Sequence, residues 1–235
     1  MFERLRQKNR RKLLQRQELI QDERQKEILK EISDVRAKKK IREEFRSLAI
    51  FLGLLGLAVG GRVAMQWIPS VEPIIPIAIM AGVIFGVKEG FTLGGSAFII
   101  SNFFIWGMQG PWTIFQALGA AIAGGIGGVY GKMRKIGWKE FVVLGIIGTA
   151  IYEIIINISG GLMGIGLFFG LFSLPLYFAA SIPFIVTHIV SNIGFSFGLS
   201  PLLKKLRRDK NEFKIINISK FIDGKRSDIR MYKSE

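Results

Sequence analysis

The sequence contains no cysteine and a single histidine. The lack of thiols excludes disulfides, thiolate metal sites and cysteine nucleophiles, and one imidazole without nearby acids makes a poor metal site. No Walker-type phosphate loop, His-Glu-x-x-His pair or Gly-x-Ser-x-Gly elbow occurs. The glycine-rich run at 124–131 lies in an apolar stretch, without the preceding strand that a dinucleotide fold requires. These absences point away from an enzyme, and no bound cofactor or metal is expected. Charge is also scarce where it matters: of 33 basic and 18 acidic residues, 6 and 4 fall between positions 47 and 202.

The chain is otherwise 49% hydrophobic, with 28 glycines among 235 residues and a mean hydropathy of +0.34. That is too apolar for an ordinary soluble domain, and such glycine content is common in packed membrane helices. The charge sits at the two ends. Residues 1–46 hold 16 Lys/Arg and 9 Asp/Glu, and residues 203–235 hold 11 and 5. Residues 1–46 also lack Gly and Pro, so they read as a long, exposed, basic helix, with pairs such as Glu27 and Lys30 one turn apart. The stripe of Leu13, Ile20, Ile28, Ile32 and Val35 falls short of a heptad repeat. A solvated helix that fixes topology, attraction to anionic lipid, and contact with a cytoplasmic partner all fit this arm. Nucleic acid does not, because acids are mixed in and no aromatic platform is interleaved. The charged arm before the first apolar run is not the pattern of a signal peptide.

From Ser47 the pattern changes, and a helix crossing the hydrocarbon needs about 20 mainly apolar residues. Spans are expected at 47–68, 73–88, 90–108, 113–132, 140–158 and 175–200. A loop or short reentrant piece is expected near 159–174, broken at Gly160, Gly161 and Gly164. The expected fold is therefore an all-α integral membrane protein, a six-helix transmembrane bundle at 47–202 between a basic cytoplasmic helical arm at 1–46 and a basic cytoplasmic tail at 203–235. Positive charge at Lys88, in the loop at 132–139 and in both ends assigns these to the cytoplasmic side of a plasma membrane, and sends the other three connections outward.

Polar side chains within spans need pairing, hydration or a cavity. Arg62 and Gln66 lie one turn apart, with Glu72 just beyond; Asn102, Gln109 and Gln116 surround the third connection; Glu153 and Asn157 end the fifth span. Together they outline an outward-facing pocket in which Arg62 meets an acidic group of a ligand and the amides fix its orientation, although a structural Arg62–Glu153 pair is the plain alternative. Trp106 and Trp112 flank the same connection and suit stacking on a ring, whereas Trp67 and Trp138 read as interface anchors. His188, with Thr187, Ser191 and Asn192, reads as helix-to-helix hydrogen bonding. Small residues recur at helical spacing in two places. Ala49 with Gly53, and Gly56 with Gly60 and Ala64, leave the first span open to a partner helix, while Ala117, Ala121 and Gly125, with Ala123, Gly127 and Gly131, suit internal packing of the fourth.

Residues 48–203 carry a resemblance. Gly61-Arg62-Val63-Ala64 followed by Trp67-Ile68-Pro69, Pro73 and Pro76 opening a segment that ends Ala81-Gly82-Val83-Ile84-Phe85-Gly86, and Ser101-Asn102-Phe103-Phe104 followed by Gln109-Gly110-Pro111-Trp112-Thr113 and Gln116 are similar to the substrate-binding membrane subunits, or S components, of energy-coupling factor (ECF) transporters. The resemblance implies a six-helix subunit that captures a vitamin or related small organic micronutrient without chemistry. It also implies a membrane scaffold (T) subunit and two ATPase subunits as partners, so that ATP is used by those partners alone. The residues implied to hold substrate are Arg62, Gln66, Asn102, Trp106, Gln109, Trp112, Gln116, Glu153 and Asn157; those implied to pack on a partner helix are Ala49, Gly53, Gly56 and Gly60. A self-sufficient secondary transporter or channel, and a non-transport membrane scaffold, are the rival readings.

Overall fold

A computed structural model describes the backbone of residues 2–105, 110–133, 136–165 and 174–232, with side chains for residues 2, 21–105, 110–133, 136–163 and 174–208. Among these residues every regular element is helical: α1 (Phe2–Ala64), α2 (Ile74–Phe85), α3 (Val87–Asn102), α4 (Trp112–Met133), α5 (Trp138–Gly160) with a π turn at Gly161–Ile165, and α6 (Leu174–Tyr232). The chain divides into two compact units, Met1–Ile50 and Phe51–Glu235.

In the first unit the described side chains from 21 to 49 lie open to their surroundings, apart from a half-buried Lys39. Two ion pairs among the described residues join positions four apart, Asp22 with Lys26 at 2.6 Å and Lys40 with Glu44 at 3.9 Å. Exposed pairs of this kind contribute a few tenths of a kcal/mol each, about 0.3–0.5. The helix therefore rests on propensity and local charge, not on a core.

The second unit is built around α2. All residues from Ile74 to Ile84 are buried, so this helix has no exposed face. Its 12 residues extend roughly 18 Å at 1.5 Å per residue, well short of a hydrocarbon layer of about 30 Å. The span expected at 73–88 is thus a short core helix, and the one expected at 90–108 ends at Asn102. Gly86 explains the early stop. Its φ of 132° lies in a region open to glycine alone, and this single residue ends α2 and starts α3. Among the described residues, four helices are long and apolar enough to cross a membrane: α1 from Gln21, α4, α5 extended to Met163, and α6 to Arg208.

The glycines of α4 hold this core together. A methyl group added at Gly124 would strike the backbone of Gly90, one at Gly127 the backbone of Ile79, and one at Gly128 the backbone of Val87. The 124–131 run therefore lets α2 and α3 lie directly on α4, which is the internal packing expected of it. Where α1 meets α2, Gly61 sits against the ring of Pro73, and Leu54, Ala58 and Arg62 form the buried side of α1. The opposite side differs, since Gly53, Gly56 and Gly60 have nothing within 4 Å. Ala49 is exposed as well, within the first unit.

The break expected at Gly160 and Gly161 does not occur there. α5 runs through both positions into a π turn, because Gly160 sits beneath Trp112 and Tyr177 and Gly161 beneath Leu174, where a larger residue would collide. These glycines serve close packing, not chain reversal. α6 continues past the expected limit of 200 and carries Pro183 and Pro201 within it.

Candidate binding site

The connectivity brings six segment ends to one end of the packed helices: the C-terminal ends of α1, α3 and α5 and the N-terminal parts of α2, α4 and α6. Each delivers polar side chains that the sequence places beside apolar neighbours, and the structure joins them into one buried network. The segment before α2 is fixed by Ser70, whose φ of 61° is unusual for a residue with a side chain and whose carbonyl accepts a hydrogen bond from Ser191 of α6 at 3.2 Å. Two residues later Glu72 is turned into the interior, 7% exposed.

Arg62 is one centre of the network. Its Nε pairs with Glu72 Oε2 at 2.5 Å, and its Nη1 donates to Ser101 Oγ at 2.7 Å and to Asn102 Oδ1 at 2.5 Å. The guanidinium also lies over the ring of Phe98, 4.5 Å from its centroid. Asn102 passes the chain of bonds on, its Nδ2 donating to Thr113 Oγ1 at 2.7 Å and Gln116 Oε1 at 2.9 Å. A buried guanidinium is tolerated only when its donors are used and its charge is opposed, and both conditions are met here.

His188 is the second centre. Its Nδ1 stands 2.5 Å from Glu153 Oε1 and its Nε2 stands 3.6 Å from Glu72 Oε1. The ring is 2% exposed and meets the ring of Tyr152 edge-on at 5.2 Å, while Tyr152 stacks on Phe98 at 5.3 Å. Glu153 Oε2 accepts from Asn157 Nδ2 at 3.2 Å, and Ser181 donates to Asn157 Oδ1. Below this point α5 and α6 remain joined by polar contacts: Asn192 Nδ2 donates to Thr149 Oγ1 at 2.9 Å, and Ser196 packs on Gly145. Residues 157, 153, 149 and 145 follow one face of α5 at four-residue spacing, as do 188, 192 and 196 on α6.

Of the residues expected to bind substrate, Arg62, Asn102, Gln116, Glu153 and Asn157 are buried members of this network. Trp112 is half-buried at the start of α4, its indole over Gly160, and Gln66 is half-buried in the turn after α1. Trp106 and Gln109 lie outside the described residues. The partner of Arg62 is Glu72, not Glu153, which corrects the pairing considered above; Glu153 faces His188 instead. Thr187 turns outward and bonds to Pro183 O of its own helix at 2.9 Å, so it is not part of the His188 group. Glu72, His188, Ser101, Thr113 and Ser181 complete the network; Glu72 belongs to the polar outline expected of the pocket, and none of the five is among the residues expected to hold substrate. Glu72 carried one usable signal, an acid next to the proline that opens an apolar helix. Trp67 and Trp138 are more than half exposed, at 68% and 52%.

The opposite end of the helices is basic. Lys88 starts α3, Lys132 ends α4 and Lys139 starts α5, and a groove there is lined by Gly86, Gly131, Lys132 and Arg207.

Helices suited to a membrane around a buried cluster of charged and amide side chains define an all-helical protein of membrane type. The chain belongs to DUF6580, a family of unknown function, which it matches over residues 42–212. The whole network lies within the matched part, and most of the basic arm lies before it. No curated protein and no solved structure matches the chain.

Proposed function

We propose that this protein is the substrate-capture subunit, the S component, of an ECF-type importer. In this reading six helices sit in the plasma membrane with both termini cytoplasmic, and the polar end of the bundle faces outward. A small organic micronutrient of the vitamin class enters there, and a membrane scaffold subunit with two ATPase subunits supplies the energy. The subunit binds and performs no reaction.

The observation that carries the proposal is the convergence of Arg62, Glu72, Asn102, Gln116, Glu153 and His188, from five helices and one connection, at a single end of the helices. Buried charge of this density is expensive to keep in an apolar surrounding, and in membrane proteins it marks a substrate or ion pathway. Arg62 offers a fork for a carboxylate or phosphate, Glu72 and Glu153 suit a cation, and Trp112 supplies a ring face. The basic residues at the opposite end support the outward orientation. A further support is the open glycine face of α1 at Gly53, Gly56 and Gly60, which fits a helix of the scaffold subunit.

The test is thermal stabilisation of the purified chain by a panel of vitamins and precursors, with mass spectrometry of any compound retained through gentle purification. One compound should stabilise the protein, and Trp112→Ala and Gln116→Ala should weaken its binding at least tenfold. Full affinity in both variants would remove the proposed pocket. Capture of ATPase subunits from native membranes, reduced by Gly53→Leu and Gly60→Leu, tests the partner assignment.

The His188 group favours a second reading, a secondary transporter working alone, because an imidazole between two carboxylates is chemistry that proton-coupled carriers use. Uptake into vesicles containing this chain and no ATPase would decide for it.

A further inference from the structure

We propose that Glu72, His188 and Glu153 form a proton-binding site, with His188 held as the imidazolium and both of its ring nitrogens donating. The first observation is geometric. Nδ1 faces a carboxylate oxygen of Glu153 at 2.5 Å and Nε2 faces one of Glu72 at 3.6 Å. A neutral imidazole has one donor and one acceptor nitrogen, so against two carboxylates one of its lone pairs must point at another lone pair. The imidazolium removes that conflict.

The second observation is the hydrogen-bonding state of the same atoms. Among the described residues, His188 Nε2 and Glu72 Oε1 are both buried without a hydrogen-bond partner, and they face each other. A proton on Nε2 turns this pair of unmet groups into a donor aimed at an acceptor. Buried polar atoms are rarely left unmet, so the pairing gives the proton a place that the structure already prepares.

The third is charge. The charged side chains buried in this cluster are Arg62, Glu72 and Glu153. One guanidinium and two carboxylates leave a single negative charge, which is costly in a low-dielectric interior. One proton on His188 brings the set to neutrality. The groups that face the ring come from each element packed on it: Glu72 precedes α2, Arg62 of α1 reaches the ring through Glu72, Tyr152 and Glu153 come from α5, and Ser191 is the polar neighbour on α6. The remaining groups nearby, Ser101, Asn102 and Gln116, are neutral.

The site ties cargo to protons. A ligand that parts His188 from Glu153 without supplying an acceptor of its own removes the carboxylate that holds the proton on Nδ1, and that proton is then released. The proton site belongs to this chain alone, whether the cargo is a vitamin or something else.

Because His188 is the only histidine, it is observable without assignment. The full chain, produced with ring-15N histidine and reconstituted in lipid nanodiscs, is measured by nitrogen NMR across about pH 5 to 8, where an ordinary imidazole loses its charge. The expected spectrum at neutral pH shows both ring nitrogens protonated, and in Glu153→Gln the same ring carries a proton on one nitrogen. A wild-type ring with one bare nitrogen at neutral pH would overturn the proposal, as would an unchanged doubly protonated ring in both Glu153→Gln and Glu72→Gln. The wild-type spectrum decides even if the variants fail to fold. Vitamin binding enters none of these readings, so failure here leaves the capture proposal to its own test.

Discussion

Replacing Arg62 by methionine keeps most of the side-chain volume and removes the charge. Arg62 is 7% exposed, pairs with Glu72 at 2.5 Å and donates to Ser101 and Asn102. The substitution leaves Glu72 buried, with His188 Nε2 3.6 Å from its Oε1, and frees the acceptor oxygen of Asn102. Breaking a buried pair from one side costs about 3–5 kcal/mol. For a chain of this size each kcal/mol moves the melting temperature by about 2–4 °C, so a fall on the order of 10 °C is expected. Arg62→Met combined with Glu72→Gln removes both charges and keeps the His188–Glu153 pair. It should therefore lose less than the two single variants together, with a coupling of about 2 kcal/mol, inside the range seen for groups in one network. Thermal unfolding of the full chain in detergent, followed by tryptophan fluorescence, supplies all four corners of the cycle. A loss below about 1 kcal/mol for Arg62→Met, or a cycle that is additive to within about 0.5 kcal/mol, would refute the description of this pair as a buried, mutually dependent unit.

Gly86→Ala should destabilise the protein by about 1–3 kcal/mol, because no other residue adopts its backbone angles without strain, and the same unfolding assay reads this directly. Gly53→Ala should be neutral or add up to about 1 kcal/mol of helix stability, since the site is open, whereas Gly124→Leu should abolish folding by driving a side chain into the backbone of Gly90; yield of monodisperse protein separates the two. Asn192→Leu gives up a bond to Thr149 but also removes an unpartnered buried acceptor, so its net effect should stay within about 1 kcal/mol on unfolding.

The residues of the cluster differ in how far the sequence exposed them. Asn102, Gln116, Glu153 and Asn157 stood out because an amide or acid within an apolar run has few harmless explanations. Glu72 is legible as a neighbour of Arg62 in the polar outline but not as its buried partner, because it follows a turn in which a carboxylate is ordinary; the left-handed backbone at Ser70 that folds it inward has no sequence signature. His188 was judged by its neighbours on α6, and the acids that face it come from positions 72 and 153 on other elements. No periodicity argument reaches across such distances. The helices divide in the same way. Apolar length placed α4 and α5 within two residues of their ends, but α2 and the 160–161 glycines were misjudged. In both cases the deciding fact was how closely another segment approaches, which composition does not report.

The complete burial of α2 has a consequence for how the chain is made. Apart from α1, the helices that enclose it, α3 to α6, follow it in the sequence, so during synthesis α2 is finished before most of its surroundings exist. Nor can it shelter alone, being too short to act as a self-contained hydrophobic segment. Its final position becomes available when the glycine surface of α4 is made, and becomes fully enclosed after α6. The order of translation and the order of assembly are therefore opposed in this part of the molecule. A ribosome stalled before Trp112 should hold a chain that proteases cut within Ile74–Phe85, and one released past Arg208 should resist cutting there while its exposed basic arm is still cleaved.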